Sequence, residues 1–85
     1  MAYRVDLSPA AQSELRGIDS GARDRILRAL AKLENEPRPA GAKKLKGRDE
    51  LWRVRVGDYR IVYEIRDQIL VVLVVRIAHR REVYR

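Results

Sequence analysis

The feature that most constrains this chain is a change of hydrophobic period at Leu51. From there the pattern runs with period two, the signature of a strand with one face buried. Leu51-Trp52-Arg53-Val54-Arg55-Val56 leads into Gly57-Asp58, a two-residue turn signal. Tyr59 to Arg66 is the return strand, with Tyr59, Ile61, Tyr63 and Ile65 on one face. Asp67-Gln68 predicts a second turn. Ile69 to Ala78 then runs ten residues with a single charge, Arg76. A strand that apolar is expected to be central and covered on both faces. The three segments together predict an antiparallel meander.

The first half of the chain is mostly helical in pattern. Tyr3, Val5 and Leu7 alternate with Arg4 and Asp6, which reads as a short strand. Ser8-Pro9 reads as an N-cap followed by proline at the first helical position, with Leu7 placed to staple the entry. Ala11, Leu15 and Ile18 follow at helical spacing, so this helix is expected to run to Ile18. Asp19-Ser20-Gly21 breaks it, and Ser20 is read as the cap of a second helix. Ile26, Leu27, Leu30 and Leu33 form the second helix's apolar stripe, with Arg23, Arg25, Arg28 and Lys32 mostly off it. Pro37 ends it, because the residue before a proline disfavours the α conformation. Residues 37–50 form a crossover loop with room for a brief strand. The expected fold is α+β in the order β-α-α-β-β-β. A helix hairpin packs on one face of an antiparallel sheet, with the first strand at its edge and residues 1–85 as one domain.

Size and composition narrow the chemistry. A chain of 85 residues buries only about 60% of its unfolded surface, so an active site should be a surface groove. There is no cysteine and one histidine, His79, which leaves no thiolate chemistry and makes a zinc site improbable. No cofactor is expected. No apolar run reaches the length of a membrane span, and Met1-Ala2-Tyr3-Arg4 does not read as a signal peptide, so a cytoplasmic location is expected. The net charge of +7 is concentrated in the second half: residues 1–42 carry 7 basic and 6 acidic residues, residues 43–85 carry 12 and 6. That half is where a polyanion would bind. Of the 19 cations, 15 are arginine, whose planar fork pairs bidentately with phosphate.

With Gly57-Asp58 as the whole loop, Arg55 faces Arg60 and Arg53 faces Val62. Arg53, Arg55 and Arg60 then project from one face of the sheet. Trp52, Val54, Val56, Ile61 and Tyr63 project from the other, toward the helices. Like charges opposed on a sheet are destabilising, so this set is better explained by an anion it receives than by folding. Lone arginines on a solvated face would need no such account. The tail adds His79, Arg80, Arg81 and Tyr84. No pair of carboxylates stands out as acid and base. Glu64, on the arginine face by parity, Asp58 and Glu82 are read as balancing charge. No phosphate-binding glycine loop is present.

A basic groove with aromatics suits RNA, which carries its own nucleophile. The 2′-hydroxyl attacks the adjacent phosphate if it is deprotonated, the phosphorane charge is stabilised and the leaving oxygen is protonated. Clustered cations supply the second requirement directly and can lower the pKa of a neighbouring tyrosine or lysine.

Lys43-Lys44-Leu45-Lys46-Gly47, the stretch Leu51-Trp52-Arg53-Val54-Arg55-Val56-Gly57-Asp58-Tyr59-Arg60-Ile61-Val62-Tyr63-Glu64-Ile65, and the tail His79-Arg80-Arg81-Glu82-Val83-Tyr84 resemble the RelE branch of the RelE/ParE toxin superfamily. The resemblance implies a type II toxin with a fold like that of small microbial ribonucleases. It implies an endoribonuclease that needs no metal and cleaves mRNA in the ribosomal A site, leaving a 2′,3′-cyclic phosphate and a 5′-hydroxyl. It further implies a RelB-like antitoxin, a hetero-oligomeric complex with it, and contact with operator DNA only through that antitoxin. Carried over by position, Arg53 and Arg55 match the basic strand pair, one of which is often a lysine proposed as base. Arg60 matches the phosphate-stabilising arginine, Arg80 the tail arginine proposed as acid or phosphate ligand, and Tyr84 the tail tyrosine. With arginine at both strand positions, His79 or Tyr84 becomes the candidate base. Lys43, Lys44, Lys46 and Arg81 are expected to touch RNA or ribosome. Two other readings stay open: a ParE-type gyrase inhibitor on the same fold, and a non-catalytic basic protein that binds RNA or antitoxin.

Overall fold

The computed structural model describes residues 2–45, 47 and 51–79. Its elements are β1 (Arg4–Leu7), α1 (Pro9–Arg16), α2 (Ser20–Asn35), β2 (Lys43–Lys44), β3 (Leu51–Val56), β4 (Tyr59–Arg66) and β5 (Val71–His79). They form one five-stranded sheet in the order β1-β5-β4-β3-β2. Both helices cover one face. Ala11, Ile18, Ala22, Ile26, Leu30 and Leu33 pack there against Ile61, Tyr63, Ile65, Val72, Val74 and Ile77.

The sheet is mixed where an antiparallel one was expected. β2 to β5 alternate as a meander, but β1 lies parallel to β5, with Arg4 opposite Val71 and Leu7 opposite Val74. β1 and β5 are separated in sequence by both helices and three strands, so no tight hairpin joins them and none forces them antiparallel. β5 is interior, as its composition predicts, yet among the described residues the helices cover only one of its faces. Leu73 and Val75 on β5 are half-buried.

Local chemistry sets the helix ends. Ser8 caps α1, its Oγ accepting from the Ala11 N–H at 3.1 Å, and Pro9 follows at the first turn. α1 stops at Arg16, short of Ile18, because Gly17 closes it through bonds to the Ser13 and Glu14 carbonyls. Asp19, not Ser20, caps α2: its carboxylate accepts from the Ala22 N–H at 3.2 Å. Both residue types cap well, and the aspartate one position earlier is the one with extended backbone geometry. Glu36 ends α2 just before Pro37.

The β4–β5 connection is longer than a two-residue turn. Asp67–Ile69 form a single 3-10 turn, Leu70 takes a left-handed conformation (φ 54°), and β5 starts at Val71 instead of Ile69. Further along, Val62 pairs with Arg76 but Tyr63 pairs with Val74, so Val75 is an extra residue on β5. α1 secures this bulge. Ser8 Oγ donates to the Val75 carbonyl at 3.0 Å, and the Glu14 carboxylate accepts from Arg76 Nε at 2.7 Å and the Ile77 N–H at 2.8 Å.

Candidate functional site

The β3–β4 hairpin builds the site. Val56 pairs with Tyr59, Arg55 with Arg60, Val54 with Ile61, and Arg53 with Val62. Gly57 has φ 59°, the left-handed value that the first central residue of such a turn requires and glycine supplies without strain. The two-residue turn fixes the register, and the register fixes the faces. Arg53, Arg55 and Arg60 lie on the face away from the helices.

The edge strand extends the cluster. Lys43 pairs directly with Arg53, so its side chain is on the same face. Two opposed cation pairs, Lys43–Arg53 and Arg55–Arg60, therefore sit side by side across three strands. Opposed side chains on a sheet start about 5 Å apart at Cβ. Gly41, Lys43, Arg53, Arg55 and Arg60 line a shallow groove of about 170 Å³. Arg55 Nε donates to the Gly57 carbonyl at 3.2 Å, which steadies its stem along the turn. Arg60 is the exception in exposure: it is 7% exposed, while Arg55 is open to solvent. A buried cation is weakly screened and acts more strongly on an anion beside it.

Among the described residues, four ion pairs join other residues of the fold. Arg4 pairs with Asp6, Arg38 with Asp67, Arg66 with Glu64, and Arg76 with Glu14. Glu64 is on the arginine face by register, as expected, and its carboxylate is held by Arg66. Among the described residues no group of three or more His, Asp and Glu side chains converges as a metal site requires.

His79 does not join the arginines. Strict alternation from Val72 and Val74, which face the helices, would place it on the opposite face with the arginines. The extra residue at Val75 reverses the parity, and His79 instead pairs with Tyr59 on the helix side. Its ring meets Tyr59 edge-on at 5.3 Å, in a depression bordered by Ser13, Glu14, Gly17 and Ile18. Lys44 also faces the other way, opposite Trp52. Arg80, Arg81, Tyr84 and Lys46 lie outside the described residues. Sequence reasoning missed Gly41 as part of the groove wall, and it did not pair Lys43 with Arg53. The single available signal was the position of Lys43 within reach of a brief edge strand.

A second basic groove, of about 370 Å³, opens between α2 and β3. Arg25, Arg28, Lys32 and Arg55 rim it over a floor of Ala29, Leu33, Pro39, Val54 and Val56. Arg55 borders both grooves, because the edge of β3 beyond Arg53 has no β2 partner.

Comparison with known proteins decides the family. Residues 5–84 match the model for the ParE toxin of the type II toxin–antitoxin system parDE. The mRNA interferase toxin RelE of Escherichia coli K12 is 32% identical over 88 residues, covering 99% of this chain and 92% of that protein. This chain is a RelE-type member of the RelE/ParE toxin family. Solved RelE structures agree. The RelE chain of the archaeal RelE–RelB complex from Pyrococcus horikoshii OT3 superposes with a TM-score of 0.83 at 29% identity, covering 94% of this chain and 97% of that one. An arginine double mutant of E. coli RelE in the free state gives 0.81 at 30% identity, covering 99% and 92%. The RelE-like α+β fold expected from the sequence is thereby shared with RelE toxins of known structure.

Proposed function

We propose that this protein is the toxin of a type II toxin–antitoxin system and an endoribonuclease that cleaves mRNA in the ribosomal A site. The observation that carries the reading is the pair of opposed cation pairs, Lys43–Arg53 and Arg55–Arg60, on one open sheet face. Folding alone disfavours that arrangement. A phosphate relieves it. The names of the relatives support the activity, since mRNA interferase toxin RelE is similar over nearly the whole chain.

In the proposed reaction the 2′-oxygen attacks the adjacent phosphorus as the bond to the 5′-oxygen breaks. The 2′-hydroxyl proton goes to a base, and the leaving 5′-oxygen takes a proton from an acid. The products are a 2′,3′-cyclic phosphate and a 5′-hydroxyl. Arg53, Arg55, Arg60 and Lys43 neutralise the charge that builds on the phosphorane oxygens. The three guanidinium forks also hold the phosphate in line for attack. Nothing in this scheme requires a metal. His79, on the opposite face, is poorly placed as the base. That leaves Tyr84 for proton transfer or base stacking and Arg80 as acid or phosphate ligand, both assigned from the family resemblance.

The partners follow the same logic. Solved relatives include the intact E. coli RelB–RelE complex, which supports a RelB-like antitoxin here. Ribosome and mRNA are polyanions that a +7 chain would meet in the cytoplasm. Lys46 and Arg81 are proposed to add backbone contacts. The second basic groove, with Lys44 near the same edge, offers further contact to rRNA. Alanine at Arg60 tests the class: a nuclease loses toxicity and cleavage, whereas a gyrase inhibitor of the same fold keeps its effect on supercoiling.

A further inference from the structure

The groove wall opposite Arg53 is carried by a loop, and that loop is held from the far side of the molecule. Residues 36–42 connect α2 to β2 and bring Gly41 and Lys43 to the arginines. A loop ahead of a two-residue strand has little regular structure to fix it. Its own bonds, Arg38 N–H to the Glu36 carboxylate at 3.2 Å and Ala42 N–H to the Pro39 carbonyl at 3.0 Å, are each local and tie it to no other element. Its start is anchored where the Tyr63 hydroxyl donates to the Pro37 carbonyl at 2.8 Å.

Between those points stands Arg38. Its Nη1 and Nη2 donate to the two Asp67 carboxylate oxygens at 3.2 and 2.8 Å, a bidentate fork. The Tyr3 hydroxyl donates to the same carboxylate at 2.6 Å. The guanidinium carbon also lies 5.4 Å from the centre of the Trp52 ring, within cation–π range. These contacts join Tyr3, just before β1, the α2–β2 loop, β3 and the β4–β5 turn. Neither β1 nor the turn depends on them. β1 is paired with β5, and the turn closes itself through the Leu70 N–H to the Asp67 carbonyl. The segment that gains its position is the loop. Trp52 faces the helices, so Arg38 is on the side away from the groove and lines no part of it.

We propose that Arg38 and Asp67 are positioning residues for the nuclease groove: their fork, braced by Trp52 and Tyr3, fixes the 39–43 segment and so sets Lys43 opposite Arg53. This rests on the endoribonuclease reading above. Neither residue touches substrate. Both act through Lys43.

The test compares wild type, Arg38→Ala, Asp67→Asn and the double variant for kcat and KM in cleavage of mRNA on programmed ribosomes. Thermal midpoint and Trp52 emission are recorded alongside, Trp52 being the one tryptophan of the chain. Each single variant is expected to lower kcat about tenfold or more, the scale of a misplaced group. The double variant should lose no more than either single one, and adding Lys43→Ala should cost little further, because all act at one point. Asp67→Glu should restore part of the rate. The thermal midpoint should fall by less than about 8 °C, as for an exposed ion pair. Loss in Arg38→Ala with normal rates in Asp67→Asn overturns the proposal, since Arg38 would then contact RNA directly. Normal rates in every variant overturn it as well. Failure of the nuclease reading shows separately, as a wild type that cuts nothing. The proposal is then read from affinity for a 2′-deoxy trinucleotide: a several-fold loss in both single variants supports it, and unchanged affinity overturns it.

Discussion

Arg55 and Arg60 face each other across two adjacent strands, and the fold pays for that juxtaposition at the level of single side chains. Replacing exposed Arg55 with Gln removes the repulsion while keeping the length. The expected result is a protein up to about 1 kcal/mol more stable by urea unfolding, with slower RNA cleavage. Arg60→Ala should lower the cleavage rate by about 10²–10³, the usual cost of one donor to a developing oxyanion. A variant that is both more active and more stable would remove the functional account of the cluster. Tyr63 gives a second residue-level test. Burial, opposed in part by Arg38, pushes its phenol up from 10.0 to about 12. A folded pKa above the unfolded one means stability that is present below pH 10 and is lost as pH rises toward 12. Wild type should therefore weaken across that window and Tyr63→Phe much less. At neutral pH the same substitution should cost about 1–3 kcal/mol, because the buried Pro37 carbonyl loses its donor.

At the scale of elements, helix caps offer a direct check of which residue organises the α1–α2 break. Asp19→Ala should cost about 1 kcal/mol in thermal or urea unfolding, and Ser20→Ala a few tenths at most. Equal losses would contradict the cap seen here. The same break shows how legible the chain was. Two capping residues in a row give sequence reasoning no way to choose, because the choice depends on backbone angles. The β3–β4 hairpin was readable to the residue, since period-two alternation and Gly57-Asp58 both specify one register. The β4–β5 connection was not. Leu70 takes a left-handed conformation without the glycine or asparagine that would announce it. Parallel pairing of β1 was hidden for a different reason: alternation in Tyr3 to Leu7 reports a face, and carries no information about direction. His79 was misleading because one bulge residue, Val75, reverses every side chain beyond it, and a bulge held by Ser8 and Glu14 from a distant helix leaves no local mark. Within the groove, the three arginines were legible through the hairpin. Lys43 was legible only as a cation, and the Arg38–Asp67 fork joins positions 29 apart that no pattern links.

For the whole molecule, a net charge of +7 weighted to the second half makes binding to RNA depend steeply on salt. On a single strand each phosphate contact contributes a slope of about −0.7 in log affinity against log salt. Lys43→Ala should make the slope shallower by about that amount, and so should Arg55→Gln. Acid stability is set in part by Asp67, which hydrogen bonds from Arg38 and then Tyr3 hold at about 2, against 3.8 for a free aspartate. That contribution is present above pH 4 and is lost as pH falls through about 2, so Asp67→Asn should flatten the acid limb of thermal midpoint against pH. The central claim is that the groove of Lys43, Arg53, Arg55 and Arg60 cuts mRNA. The most direct measurement is primer extension on a defined mRNA, with and without ribosomes programmed with it, for wild type and Arg60→Ala side by side. The account predicts cuts inside the A-site codon with wild type on ribosomes, and their loss in the variant. Wild type that leaves the mRNA intact in both conditions, or the same cuts from Arg60→Ala, would contradict it.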